Sequence, residues 1–488
     1  MVRVTAPATA APTVSTLGEL RASGLPQAQP RGVKNEIREN LLARLSAGEP
    51  TLPGIVGFED TVTPEIERAL LAGHDIVLLG ERGQGKTRLI RTLVGLLDEW
   101  TPVIAGSELG EHPEAPIVPA SVRRAAELGD DLPVTWKHRS ERYGEKLATP
   151  DTSVGDLIGD IDPIKVAEGR TLGDPETVHY GLVPRTNRGI FAINELPDLA
   201  ERIQVSLLNV LEERDIQVRG YQLRLPLDLL LVASANPEDY TNRGRIITPL
   251  KDRFGTEVRT HYPIDLGDEL RLIAQEAAVL WDESVQAAPL VPGHLLEIVG
   301  RFARAVREAP QVDQRSGVSA RFAIAAMETV AASAVRRAAI AGESVAVARV
   351  VDLPAVLTAS RGKIEFDDND GASEGREYEV LAHLLRRATA ETFRARLAGV
   401  DLRPLQEKFD GGMLLESGET VSADSFLEQI GSVPLLSTLL DRVEPGNAGE
   451  GPAAVGVAAS VVEFALEGLF LNKRLAKDAS GGRTVYGR

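Results

Sequence analysis

Apolar positions recur at helical spacing at Ile37, Leu41, Leu42 and Leu45, predicting a helix within residues 32–50 that stops near Gly48 and Pro50. Residues 61–73 (TVTPEIERALLAG) again gather their apolar side chains on one face. The pattern then changes: Ile76-Val77-Leu78-Leu79 is a continuous apolar run closed by Gly80, as expected of a strand buried on both faces. A helix is predicted over residues 87–97. Two further runs, Gly189-Ile190-Phe191-Ala192-Ile193 and Leu229-Leu230-Leu231-Val232-Ala233, flank a helix predicted over 201–213. Strands alternating with helices predict an α/β fold, a parallel sheet with helical crossovers.

Beyond Pro263 the chain runs through Ala-, Leu- and Arg-rich stretches from 267 to about 341 with no strand pattern, predicting a separate helical domain. The acidic stretch 365–375 and the Gly/Pro-rich stretch 444–452 read as linkers, and the chain around them reads as helical. The expected organisation is a mobile tail and helix (1–50), a nucleotide-binding α/β domain (51–262), a helical lid (263–365) and a mostly helical C-terminal domain (366–488). The first 30 residues mix Ala, Pro, Thr and Ser without a secretory apolar core. In the most apolar late stretch, residues 453–471, Glu463 and Glu467 stand at i,i+4 spacing, which predicts an amphipathic helix and no membrane insertion.

The length of 488 residues allows about three domains. A formal charge of −17 argues against a broad nucleic-acid or anionic-membrane footprint. The absence of cysteine excludes disulfides, thiol nucleophiles, iron–sulfur clusters and thiolate zinc sites, and leans towards a cytoplasmic setting. Seven histidines are scattered without a metal-binding spacing. The acidic run 367–371 places Phe366 where the first calcium ligand would stand, which argues against a calcium loop.

Chemistry concentrates in one motif. Gly80-Glu81-Arg82-Gly83-Gln84-Gly85-Lys86-Thr87 matches G-x-x-x-x-G-K-[ST] between a predicted strand and a predicted helix. Glycines there let backbone N–H groups curl around phosphates, Lys86 reaches the β/γ oxygens, and Thr87 offers an oxygen to Mg2+. Arg88 follows directly and is grouped with these binding residues. The cofactors expected are therefore ATP and Mg2+.

The second strand run ends in Asn194-Glu195. Glu195 is placed to polarise a water, and Asn194 stands where a magnesium-orienting aspartate is expected. An amide oxygen can accept from a magnesium-bound water but carries no charge, which predicts weaker metal binding and slow turnover. The third run leads through Ser234-Ala235 into Asn236, a candidate for holding the water between Glu195 and the γ-phosphate. The plainer alternatives are a polar strand end capping the next helix at 194–195 and a turn asparagine at 236. Arg253, in Leu250-Lys251-Asp252-Arg253-Phe254, offers an arginine at a helix end.

The ordered series Ile55-Val56-Gly57, the phosphate loop, RGIFAINEL, a helix, ANPED and LKDRFG resembles the AAA+ ATPases. Within them it is similar to the ATPase subunit of magnesium chelatase and the related MoxR-type group. Residues 154–169, 213–225 (ERDIQVRGYQLRL) and 316–321 (SGVSAR) resemble that group's helix insert, hairpin and lid-helix arginine site. The resemblance covers about residues 50–365. It implies a P-loop AAA+ parallel sheet flanked by helices and a helical lid; the additional, mostly helical C-terminal domain (366–488) is read from the helical pattern alone, and its role is unknown.

By the same resemblance Ile55 and Val56 lie near adenine. Gly80, Gly83, Gln84, Gly85, Lys86, Thr87 and Arg88 hold the nucleotide, with Thr87 and Asn194 at the metal. Glu195 is the catalytic carboxylate, Asn236 the first sensor, Arg253 an arginine finger and Arg321 the second sensor. It further implies a self-assembled ring, a hexamer, acting on a partner with a von Willebrand A-type domain. Two other functions compete: an ATP-gated assembly scaffold with little hydrolysis, and an AAA+ transcription activator. The activator reading is disfavoured by the acidic charge and by the lack of a DNA-binding module or a GAFTGA loop.

Overall fold

The computed structural model describes residues 10–167, 177–213, 216–218, 221–223, 225–237, 245–279, 288–313, 317–360, 362–366, 374–446, 451–480 and 483–488. The chain divides into two compact units, Arg3–Tyr262 and Pro263–Arg488.

Arg3–Tyr262 is built on a five-stranded sheet in the order Thr256–Arg259, Ile76–Leu79, Leu229–Ala235, Gly189–Asn194, Tyr143–Leu147. Every neighbouring pair is parallel. Alternate residues of the apolar runs enter different cores. Val77, Phe191, Ile193, Leu229 and Leu231 pack with Ile203, Leu207 and Val210 of the helix Glu201–Glu213. Ile76, Leu78, Ile190, Ala192, Leu230 and Val232 pack with Ile37, Leu41, Ile66, Leu89 and Ile90 of helices on the other face. Burial on both faces is why these strands read as unbroken apolar runs.

The N-terminal segment differs from the expectation of a mobile tail. Leu17–Ala22 is a helix capped by Thr16, and its Leu17 and Leu20 are buried against Ile104, Leu132 and Val134. Trp136 Nε1 donates to the Val14 carbonyl at 2.9 Å. Two leucines three residues apart are too short a pattern to stand out among Ala, Pro and Thr, yet they close a small core. The following helix, Val33–Ala47, is pinned by a buried ion pair. Arg142 reaches both oxygens of Glu36 at 2.7 Å and also donates to the Arg188 carbonyl, so the guanidinium is well supplied with acceptors.

In Pro263–Arg488 a single apolar cluster runs from Ile298 and Phe302 through Leu381 and Leu385 to Phe464 and Tyr486. The expected boundary near 365 is therefore not a break in packing: the helix Glu374–Arg396 shares the core with Gly293–Arg307. A small antiparallel sheet of Leu415–Gly418, Arg483–Gly487 and Ala476–Ser480, absent from the sequence reading, completes this mostly helical unit. Its strands are short and largely polar and offer no apolar alternation.

The helix Pro452–Leu471 is the one helix among the described residues long and apolar enough to cross a membrane, and 78% of its apolar window is buried inside the protein. Its carboxylate stripe faces inward, contrary to the amphipathic expectation. Glu463 accepts from Ser417 Oγ at 2.6 Å, and Glu467 accepts from Lys477 Nζ and from the Tyr486 hydroxyl, each at 2.7 Å. The stretch 444–452 also begins as packed structure. The Glu444 carboxylate is buried and accepts from the backbone N–H groups of Gly293 and His294. The acidic run 367–373 lies outside the described residues.

His112, buried in Arg3–Tyr262, donates through Nε2 to the Gln27 carbonyl and accepts the Glu114 N–H at Nδ1. Burial, and next the nearby Arg188 charge, depress its pKa to about 4. The unfolded chain therefore takes up a proton that folded His112 refuses, and stability present above pH ~6.5 is lost as the pH falls towards 4. Melting curves across this range should show the loss in the wild type and a smaller one in His112→Gln; parallel curves would contradict the assignment.

A candidate nucleotide-binding site

The strand Ile76–Leu79 ends at Gly80, where a Cβ would stand 1.9 Å from Thr260 Oγ1, so the loop starts against its neighbour strand with no room for a side chain. Gly83 and Gly85 take left-handed backbone angles (φ 74° and 77°), which glycine adopts without strain. Gln84 turns its side chain inward: Oε1 accepts from the Glu81 N–H at 3.0 Å and from Thr260 Oγ1 at 2.8 Å. Its side chain is thus committed to holding the loop's shape. The helix Lys86–Thr92 starts immediately after the last glycine.

Lys86 is only 6% exposed. Its Nζ donates to the Gly80 carbonyl, to the Glu81 carbonyl at 2.8 Å and to Asn236 Oδ1 at 2.8 Å. Asn236 in turn donates through Nδ2 to Glu195 Oε2 at 2.6 Å. An ammonium only donates and a carboxylate only accepts, so the amide between them has a single allowed orientation. Glu195 follows the strand Gly189–Asn194 in a left-handed conformation (φ 56°, ψ 48°). That costs a non-glycine residue about 1 kcal/mol or more, and its N–H is received by Ser234 Oγ at 3.3 Å.

Asn194 is buried beside it. Its Oδ1 accepts from Ser234 Oγ at 3.2 Å, and its Nδ2 donates to Glu145 Oε1 at 2.6 Å. Glu145, on the edge strand Tyr143–Leu147, also receives Arg91 Nε at 2.8 Å, Arg91 Nη2 at 3.0 Å and the Tyr143 hydroxyl at 3.0 Å. Burial pushes the Glu145 carboxyl up, but donors from Arg91, Tyr143 and Asn194 outweigh it and hold the group below the ordinary range.

The structure thus joins Gln84, Lys86, Asn194, Glu195 and Asn236 in contacts that run across the sheet. Thr87 and Arg88 lie half-buried on the first turn of the loop helix, with Arg88 Nη2 beside Gly54; Ile55 packs at the edge of the core containing Leu78 and Leu89. Arg253 is the exposed last residue of the helix Thr248–Arg253. Arg321 is exposed near the start of Ala320–Ala341, in the other unit. Glu145, Ser234 and Thr260 are site residues the sequence reading missed. Tyr143-Gly144-Glu145-Lys146-Leu147 has no apolar run, so its pairing with the central strands left no local signal.

Replacing Asn236 with Leu leaves the Lys86 ammonium and the Glu195 carboxylate without this shared partner. The change should destabilise the Arg3–Tyr262 unit by about 1–3 kcal/mol, measured as a lowered denaturation midpoint by circular dichroism. An unchanged midpoint would show that the network does not hold the loop.

The chain matches the family described as the Sigma-54 interaction domain over residues 170–253. The magnesium-chelatase subunit ChlI of Anabaena variabilis is 30% identical over 189 residues, 38% of this chain and 52% of that protein. The magnesium-chelatase 38 kDa subunit of Cereibacter sphaeroides is 29% identical over 237 residues, 46% of this chain and 62% of its own. This chain spans about half the length of the curated relatives it matches. A chain of the solved complex of magnesium-chelatase subunits BchI and BchD is 20% identical, covering 67% of this chain and 97% of that one, with a TM-score of 0.34.

Proposed function

We propose that this chain is an AAA+ ATPase of the magnesium-chelatase type, hydrolysing ATP as a ring motor that remodels a partner protein, with its nucleotide site in the Arg3–Tyr262 unit. The observation that carries the reading is the contact chain from Lys86 through Asn236 to Glu195, which ties the phosphate loop to the strand-end carboxylate. The donor set fits a magnesium nucleotide: left-handed glycines, a buried ammonium, the Thr87 hydroxyl and the Asn194 amide oxygen. Bound magnesium would neutralise phosphate charge as it develops in the transition state.

In this reading Lys86 exchanges its contact with Asn236 for the β/γ-phosphate oxygens, and Asn236 Nδ2, which carries two protons, donates one to a phosphate oxygen and keeps the other on Glu195. Glu195 accepts the proton of the attacking water. Ile55 and Val56 border the adenine, and Arg88 supports that segment. Arg253, exposed at a helix end, is read as acting across a subunit boundary and Arg321 as the second sensor, both on the resemblance alone. A hexameric ring and a partner with a von Willebrand A-type domain extend the same reading and are supported by the resemblance alone. A second reading, an ATP-gated scaffold with little turnover, is favoured by the neutral Asn194.

Steady-state hydrolysis and oligomer size, measured with and without Mg-ATP, separate the two. The motor predicts turnover in the wild type, reduced at least about a hundredfold in Glu195→Gln and about a thousandfold in Arg253→Ala. Wild type that assembles with ATP but does not turn over would replace the motor with the scaffold.

A further inference from the structure

We propose that Glu145 is the positioning residue of this site, fixing both the loop helix and the strand-end asparagine so that their oxygens face the same cation. The inference rests on the nucleotide-binding reading above and concerns Glu145, which that reading does not use.

Glu145 occupies a junction. On one side Arg91 brings two N–H groups to its two oxygens. Arg91 lies four residues after Thr87 on the helix Lys86–Thr92, so the two share a helix face and the arginine anchors the turn that carries the threonine hydroxyl. On the other side Glu145 accepts from Asn194 Nδ2. In the parallel register Leu147 pairs with Asn194 and Glu145 with Ala192, so Glu145 is the diagonal neighbour of Asn194 on the same face of the sheet. One carboxylate therefore sets the distance between the two oxygen donors assigned to the metal.

It also sets the polarity of one of them. A carboxylate cannot donate, so the Asn194 amide must turn its nitrogen to Glu145 and its oxygen to the other side, where Ser234 donates to it. Without that constraint the amide could rotate and present N–H groups, the wrong sign for a cation. The Glu145 oxygens already accept four hydrogen bonds, from Arg91 twice, Tyr143 and Asn194, so Glu145 acts through its neighbours and does not itself ligate. An aspartate at 194 would face that carboxylate at the 2.6 Å separation now bridged by an N–H. Asparagine at the strand end is thus the partner that Glu145 requires, and the two identities are coupled.

The coupling predicts a reciprocal rescue. Full-length wild type, Glu145→Gln, Asn194→Asp and the double variant are loaded with ADP, and Mn2+ binding is titrated by electron paramagnetic resonance; binding of a fluorescent ADP analogue in EDTA is measured in parallel. Each single variant should bind Mn2+ about tenfold more weakly. In the double variant the amide and the carboxylate exchange places, so the introduced amide donates to the introduced carboxylate while its oxygen keeps Arg91 Nε, at the loss of the Arg91 Nη2 contact to the same end of the side chain. Its Mn2+ binding should return to within about threefold of wild type, a departure from additivity expected of directly interacting side chains.

Metal-free nucleotide binding should be retained in all four. If Asn194→Asp alone tightens Mn2+ binding, or if the double variant is no better than Glu145→Gln, the positioning role is overturned and Glu145 is only a structural partner of Arg91. If wild type binds no nucleotide even in EDTA, the nucleotide-binding reading itself falls, a result distinct from loss of the coupling.

Discussion

A single amide, the side chain of Asn236, stands between a buried ammonium and a carboxylate. It has one orientation that satisfies both, with Lys86 donating to its oxygen and Glu195 accepting from its nitrogen. Each of the three residues comes from a different segment: the loop after Ile76–Leu79, the turn after Gly189–Asn194 and the end of Leu229–Ala235. They meet because these strands run parallel with Leu229–Ala235 in the middle, so that all three carboxyl ends open on one edge. Ligand crevices of open α/β sheets lie at such strand ends. Burial strengthens these contacts and makes each expensive to lose.

The same economy of buried charge appears elsewhere in the chain. Arg142 locks the N-terminal helix to the sheet through Glu36, and Arg337 sits in the second unit against Asp352 and Glu343. Glu467 meets Lys477 and Tyr486 inside that unit. These pairs add little net stability compared with apolar packing of the same volume, but breaking one partner leaves an uncompensated buried charge. Where hydrophobic contact is non-directional, they make the packing specific.

How much of this is legible in the sequence follows from where each signal lives. The three central strands are readable because both faces are buried and their apolar runs are continuous, and the phosphate loop is readable because its chemistry needs residues at fixed spacing. Glu145 is not, because its role depends on the strand lying next to Gly189–Asn194, a pairing between residues about 49 apart in sequence with no periodic pattern to announce it. Glu463 and Glu467 mislead as a solvated stripe for a related reason: i,i+4 carboxylates look identical whether water meets them or Ser417, Lys477 and Tyr486 do. The N-terminal Leu17 and Leu20 escape notice through shortness, since two apolar positions cannot establish a period. Local chemistry at fixed spacing is visible, and partners brought together by the fold are not.

The dependence of the site on one buried lysine is tested most directly by equilibrium binding of a fluorescent ATP analogue to full-length wild type and Lys86→Ala. Saturable binding by the wild type, lost in Lys86→Ala while both proteins melt at similar temperatures, is the result expected of a phosphate loop closed by Lys86. Equal binding by the two proteins, or none by the wild type, would contradict it.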